Sequence, residues 1–107
     1  MADDSYIDLD SKSFSDLLKN KKDAVLVDVR TQMEYNMGHI PGSLLIDISH
    51  PSFFDEIAKL DKNKEYMLYC RSGSRSYHAG QQMVMLGFKK VYNLESGLID
   101  WDEPLEK

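Results

Sequence analysis

Four short runs of apolar and β-branched residues recur along the chain, and the segments between them are too long to be hairpin turns. They are Ala24 to Val29, Ser43 to Ile48, Glu65 to Cys70 and Lys90 to Leu94. A short unbroken apolar run is the mark of a strand covered on both faces. Strands of that kind, alternating with helix-period segments, predict an α/β fold: a parallel central β-sheet with helices on both faces.

The intervening segments carry the helical signals. Ser11 or Ser13 can cap a first helix that sets Phe14, Leu17 and Leu18 on one face, and residues 20–23 break it. Thr31 can cap a short helical turn through Met33, Glu34 and Tyr35. Residues 38–42 hold two glycines and a proline and read as loop. Pro51 opens a helix with Phe53, Phe54, Ile57 and Leu60 at helical spacing. A turn over residues 71–75 leads to a longer helix from about Ser76 to about Leu86, with Ala79, Met83 and Leu86 inward. Gly87 suits a left-handed cap. Residues 97–101 suit a last helical turn. The large aromatics Phe53, Phe54 and Trp101 are expected in the core.

The 107 residues suffice for one domain, with its core over about residues 6–101. A net charge of -5 argues against a nucleic-acid partner, whose binders present a basic face. No apolar run approaches the roughly 20 residues of a spanning helix, so no membrane association is expected. Residues 1–5, Met-Ala-Asp-Asp-Ser, lack the charged-then-apolar order of a signal peptide, which points to a cytoplasmic protein. The single cysteine, Cys70, excludes an internal disulfide and a multi-thiolate zinc site. His39, His50 and His78 show no ligand spacing, so no metal is expected.

A free cysteine is either a small buried hydrophobe or a reactive thiolate. The segment Tyr69-Cys70-Arg71-Ser72-Gly73-Ser74-Arg75-Ser76 favours the thiolate. A buried strand delivers Cys70 to the carboxyl edge of the sheet, where ligands of such folds sit. The short loop after it runs straight into a helix. Successive amides in a tight loop form a concave anion nest, and a helix start adds unpaired N–H groups and partial positive charge. Gly73 permits a backbone angle other residues resist. Arg71 and Arg75 add cations. Such surroundings lower a thiol from about 8.5 into a range of roughly 3.5–7.5.

The chain also resembles the rhodanese-like single-domain sulfurtransferases from about Tyr6 to Trp101. Asp28-Val29-Arg30 is similar to the family's D-V-R. Residues 34–43, Glu-Tyr-Asn-Met-Gly-His-Ile-Pro-Gly-Ser, resemble its E-[FY]-x-x-G-H-I-P-G-[AS]. Residues 70–76 resemble its active loop C-x-x-G-x-R-S. Gly87-Phe88 followed by Val91, Leu94, Gly97 and Trp101 resembles its closing motif, with Ser96 in place of a usual glycine. The resemblance implies covalent, cofactor-free transfer of a sulfane sulfur through a Cys70 persulfide. A small anionic donor such as thiosulfate would supply the sulfur. A thiol or dithiol acceptor, including a protein one, would remove it.

On this reading Arg71, Ser72, Gly73, Ser74, Arg75 and Ser76 bind the substrate. Their amides surround the persulfide, Arg75 orients the loop and offsets negative charge, and Arg71 attracts the donor. Asp28 and Arg30 either brace the active loop or form a structural ion pair or helix cap. Glu34 and His39 read as scaffold, with His39 as a satisfied hydrogen-bond partner. His78 falls beyond the first helical turn and reads as surface rather than as a base for Cys70.

Three other readings compete. A cysteine-dependent phosphatase or arsenate reductase uses C-x5-R, whereas four residues separate Cys70 from Arg75. A non-catalytic binding module of the same fold would not form a persulfide. A redox sensor would need a resolving cysteine from a partner.

Overall fold

The computed structural model describes residues 5–107. Five parallel strands form one sheet: β1 Tyr6–Leu9, β2 Val25–Asp28, β3 Leu44–Leu45, β4 Glu65–Tyr69 and β5 Lys90–Leu94. Their order is β1-β5-β4-β2-β3. Between them run α1 Ser11–Asn20, α2 Gln32–Met37, α3 Phe53–Ala58 and α4 Ser74–Met85, with a 3-10 turn at Gly97–Asp100 after β5. Among the described residues no helix is long and apolar enough to cross a membrane.

Alternation along β4 divides the core. Tyr66, Leu68 and Cys70 join Phe53 and Ile57 of α3 and Ala79 and Met83 of α4. Met67 and Tyr69 join Phe14 of α1, with Leu98 and Trp101 packed alongside. Helices therefore cover both faces, as the unbroken apolar runs require. Fully burying each large apolar side chain contributes about 1.5–3 kcal/mol.

Several local expectations change. Tyr6–Leu9 is an edge strand, too short to signal its presence in the sequence. The cap of α1 is Asp10, whose carboxylate accepts from the Ser13 amide at 2.8 Å, rather than Ser11 or Ser13. The third strand shrinks to Leu44–Leu45, while the amides of Ile46 and Ile48 bond the carbonyls of Asp28 and Val29. Phe54 is 57% exposed rather than core. In a helix as short as α3, Phe53 and Ile57 share the inner face, and the next position turns about 100° away. Leu86 is 41% exposed for another reason. The chain reverses at Gly87 with φ 98°, and the Phe88 amide bonds the Met83 carbonyl at 3.1 Å. This helix-ending motif swings Phe88 into the core in place of Leu86.

After β3 the chain crosses back past β2 to enter β4, and then continues outward to β5. The direction reverses between β2 and β4, so the crevice at their carboxyl ends is where a ligand site is expected. Asp28 and Cys70 lie there. Tyr69 ties the neighbouring loop to this edge: its hydroxyl accepts from the buried Ile40 amide at 3.0 Å and pairs with the Ser43 hydroxyl at 3.1 Å. Tyr69→Phe leaves that amide without a partner and is expected to cost about 1–3 kcal/mol in urea unfolding. An unchanged midpoint would refute this role.

Candidate active site

β4 ends one residue before Cys70, and the strand pleat points its side chain toward the start of α4. The side chain is fully buried. Its sulfur is nevertheless not surrounded by hydrocarbon alone. Sγ accepts from the Gly73 amide at 3.1 Å, the Ser76 amide at 3.5 Å and the Ser76 hydroxyl at 3.4 Å. Burial pushes the thiol up. The Ser76 hydroxyl and the amides of Ser76, Ser72 and Gly73 more than offset that, so Cys70 titrates below an ordinary thiol.

The loop takes this shape because the segment after β5 holds its other side. The amides of Leu98 and Ile99 donate to the carbonyls of Cys70 and Arg71, both at 3.1 Å. Those carbonyls thus have partners, and amides further along the loop turn toward the sulfur. The approach is so close that two glycines are required. At Gly73, φ is 93° and a Cβ would lie 1.8 Å from the Glu95 carbonyl oxygen. At Gly97, φ is 68° and a Cβ would lie 2.2 Å from the Arg71 carbonyl oxygen. The buried Asn93 side chain donates to the Gly73 carbonyl at 3.3 Å and to Asp8 at 3.1 Å.

Arg75 is held in a bidentate pair with Glu34, at 2.8 and 2.9 Å. This pair ties the first turn of α4 to α2. The Arg75 guanidinium beside it, with help from Thr31 and against partial burial, holds the Glu34 carboxyl at about 2. Glu34 also closes a capping box with Thr31. Arg75 thus braces the loop, and its positive charge remains close enough to interact with Cys70.

Asp28 and Arg30 form a buried ion pair, with Nη2 to Oδ2 at 2.7 Å and Nε to both carboxylate oxygens at 3.0 and 3.1 Å. The second Nη2 hydrogen reaches the Gly38 carbonyl at 2.7 Å. The pair therefore braces the loop after α2 rather than the cysteine loop. Arg30 also lines a cleft of about 310 Å³, together with Glu34, Met37, Arg71, Leu98 and Ile99. Arg71, Ser72 and Ser74 are exposed, whereas Gly73 and Ser76 are buried.

Other expected positions resolve simply. His39 is buried, stacked on the Tyr35 ring at 3.7 Å, with Nδ1 2.9 Å from the Tyr35 carbonyl oxygen. His78 is exposed. Ser96 has φ -91°, a conformation that needs no glycine. The sequence reading missed Glu34 as the partner of Arg75, and it missed the backbone of Leu98 and Ile99. Glu34 reads in the sequence only as scaffold, in the turn that Thr31 caps. Gly97 reads there only as part of the closing motif and a last helical turn, with no sign that the Arg71 carbonyl crowds it.

Residues 10–104 match the model of the rhodanese-like domain, and the chain belongs to that family. It is 35% identical over 94 residues to a sulfurtransferase of Allochromatium vinosum, covering 88% of this chain and 86% of that one. It is 37% identical over 84 residues to the thiosulfate sulfurtransferase GlpE of Coxiella burnetii, covering 78% and 77%. The crystal structure of a rhodanese-like domain protein from Staphylococcus aureus superposes with a TM-score of 0.82 at 31% identity, over 94% of this chain and 96% of that one.

Two measurements check the electrostatics. The rate of Cys70 alkylation against pH is expected to have its midpoint below the ordinary thiol value of about 8.5. Ser76→Ala should move it upward, and an unmoved midpoint would contradict the assigned hydrogen bond. The Glu34 carboxyl is held below its unfolded value, so its contribution to stability is complete above pH about 4.3. It is lost as pH falls toward about 2. Glu34→Gln should therefore be less stable than wild type at neutral pH, and the gap should close across that acid window.

Proposed function

We propose that this chain is a sulfurtransferase that carries a sulfane sulfur as a persulfide on Cys70. The carrying observation is the buried Sγ, met by the Gly73 and Ser76 amides and the Ser76 hydroxyl, beside a cleft lined by Arg30 and Arg71. The names of the relatives support the reaction class, and thiosulfate is the donor that one of those names suggests.

The Cys70 thiolate attacks the outer sulfur of thiosulfate. A new S–S bond forms, the bond to the sulfonate sulfur breaks, and sulfite leaves with that electron pair. The persulfide then sits among the loop amides, which stabilise its negative charge as they did the thiolate. Arg71, exposed at the cleft, attracts the anionic donor. Ser72 and Ser74 contribute through their places in the loop backbone, and Arg75 acts through Glu34 by fixing the start of α4. An acceptor such as cyanide or a thiol then attacks the outer sulfur and regenerates the thiolate. No cofactor takes part.

The bond between Arg75 and Glu34 also separates this reading from phosphate or arsenate chemistry. A tetrahedral oxyanion seated on the loop would need that guanidinium fork, and a carboxylate already occupies both of its arms.

Intact-mass measurement tests the proposal. After thiosulfate, wild type is expected to gain one sulfur atom and to lose it to cyanide with release of thiocyanate. Cys70→Ser should gain none. A wild-type mass that thiosulfate leaves unchanged would overturn the assignment and favour a non-catalytic module.

A further inference from the structure

Arg30 has one half of its guanidinium free. Nε and Nη2 are taken by Asp28 and the Gly38 carbonyl. Among the described residues nothing accepts from Nη1, and Arg30 lines the cleft beside the cysteine loop. The direction of that free edge depends on two anchors. Asp28 is one, fixed at the end of β2. The other is the Gly38 carbonyl, which belongs to a loop.

That loop is held from outside the sheet by the last residues of the chain. His39 and Glu106 form an antiparallel bridge, with the His39 amide donating to the Glu106 carbonyl at 2.8 Å and the Glu106 amide donating to the His39 carbonyl at 2.9 Å. The Glu106 carboxylate lies 3.4 Å from His39 Nε2. The Leu105 side chain packs over Gly38, with its Cδ1 3.4 Å from where a Cβ would stand. Both residues lie beyond the span that matches the family model, which ends at residue 104.

We propose that Leu105 and Glu106 act as a clasp that positions Arg30, through Gly38, so that Nη1 binds the anionic end of the sulfur donor. This rests on the sulfurtransferase reading above. Arg30 is a binding residue here, and Leu105, Glu106 and His39 are positioning residues. Asp28 holds the fork through three bonds and the Gly38 carbonyl takes the remaining Nη2 hydrogen, so the two anchors together fix the free edge, and without the second the fork can shift about the carboxylate. Sulfite and the sulfonate end of thiosulfate offer oxygen acceptors suited to such an edge.

The variants Glu106→Pro and Glu106→Gln, with the rest of the chain kept, test it. Proline removes the amide that bonds His39, whereas glutamine keeps the backbone bridge. Glu106→Pro is expected to lower kcat/KM for thiosulfate roughly tenfold, as loss of one charge-assisted hydrogen bond would. The rate at which its persulfide reacts with 2-mercaptoethanol, a neutral acceptor, should stay within about twofold of wild type. Glu106→Gln should stay near wild type in both. Arg30→Lys keeps the charge beside Asp28 but lacks the fork, and should match the loss for thiosulfate.

Hydrogen exchange at residues 38–40 should speed up in Glu106→Pro. An unchanged kcat/KM for thiosulfate with faster exchange there would overturn the proposal, as would an equal fall in both half-reactions. Sulfite binding to Cys70→Ser, with and without Glu106→Pro, reads the clasp without catalysis. A weaker sulfite affinity in the double variant supports it even if wild type forms no persulfide, and an equal affinity refutes it.

Discussion

The molecule is organised around a contradiction at one atom: a sulfur with no solvent contact that nonetheless gives up its proton more readily than an ordinary thiol. Burial alone would keep Cys70 protonated. The opposing hydrogen bonds come from backbone and side-chain groups that must converge on one point, and convergence needs a loop held from both sides. α4 supplies one side through the Ser76 amide and hydroxyl. The turn after β5 supplies the other by taking the carbonyls of Cys70 and Arg71. Gly73 and Gly97 are the points where these sides meet with no room for a Cβ. The parallel sheet matters chiefly because it brings β2, β4 and β5 to one edge, so that segments distant in sequence can brace the same short loop.

Charge around the loop follows the same logic. Arg75, read in the sequence as a cation of the loop, and Arg30, read there as a brace or an ion-pair partner, are each held by a carboxylate, Glu34 and Asp28. A loop amide has a fixed dipole and needs no counterion. Aimed at the sulfur, it can stabilise the thiolate and, under the proposed reaction, the persulfide that replaces it. Arg75 braces the start of α4 that carries such an amide, and Arg71 is the cation left exposed in the cleft.

Much of this was legible before any coordinates. The alternation of buried runs with helical segments specified a parallel sheet covered on both faces. The polar stretch after Tyr69, with its glycine and its helix start, specified a nest. The failures have a common cause. Glu34 lies 41 positions from Arg75, and Gly97 more than twenty from the loop carbonyls it crowds. Periodicity and turn chemistry describe neighbours along the chain and are silent about such pairs. Phe54 and Leu86 failed for the opposite reason: helical spacing was extended past the inward stripe of a short helix and past a helix end, where a single residue rotates the side chain outward.

The buried state of the sulfur also bears on how a donor arrives. With no accessible surface on Cys70, a donor in the proposed reaction can reach the sulfur only if the loop opens locally, and the cost of opening rises with every contact that holds it. Two of these contacts are backbone bonds to the turn after β5. The Arg75–Glu34 pair lies on the other flank and is partly exposed, with 36% and 30% of the two side chains open to solvent. A screened pair of that kind yields more readily than a buried backbone bond. Opening on the α2 side would uncover the sulfur toward the cleft that Glu34, Arg30 and Arg71 line, leaving the Leu98 and Ile99 anchors intact.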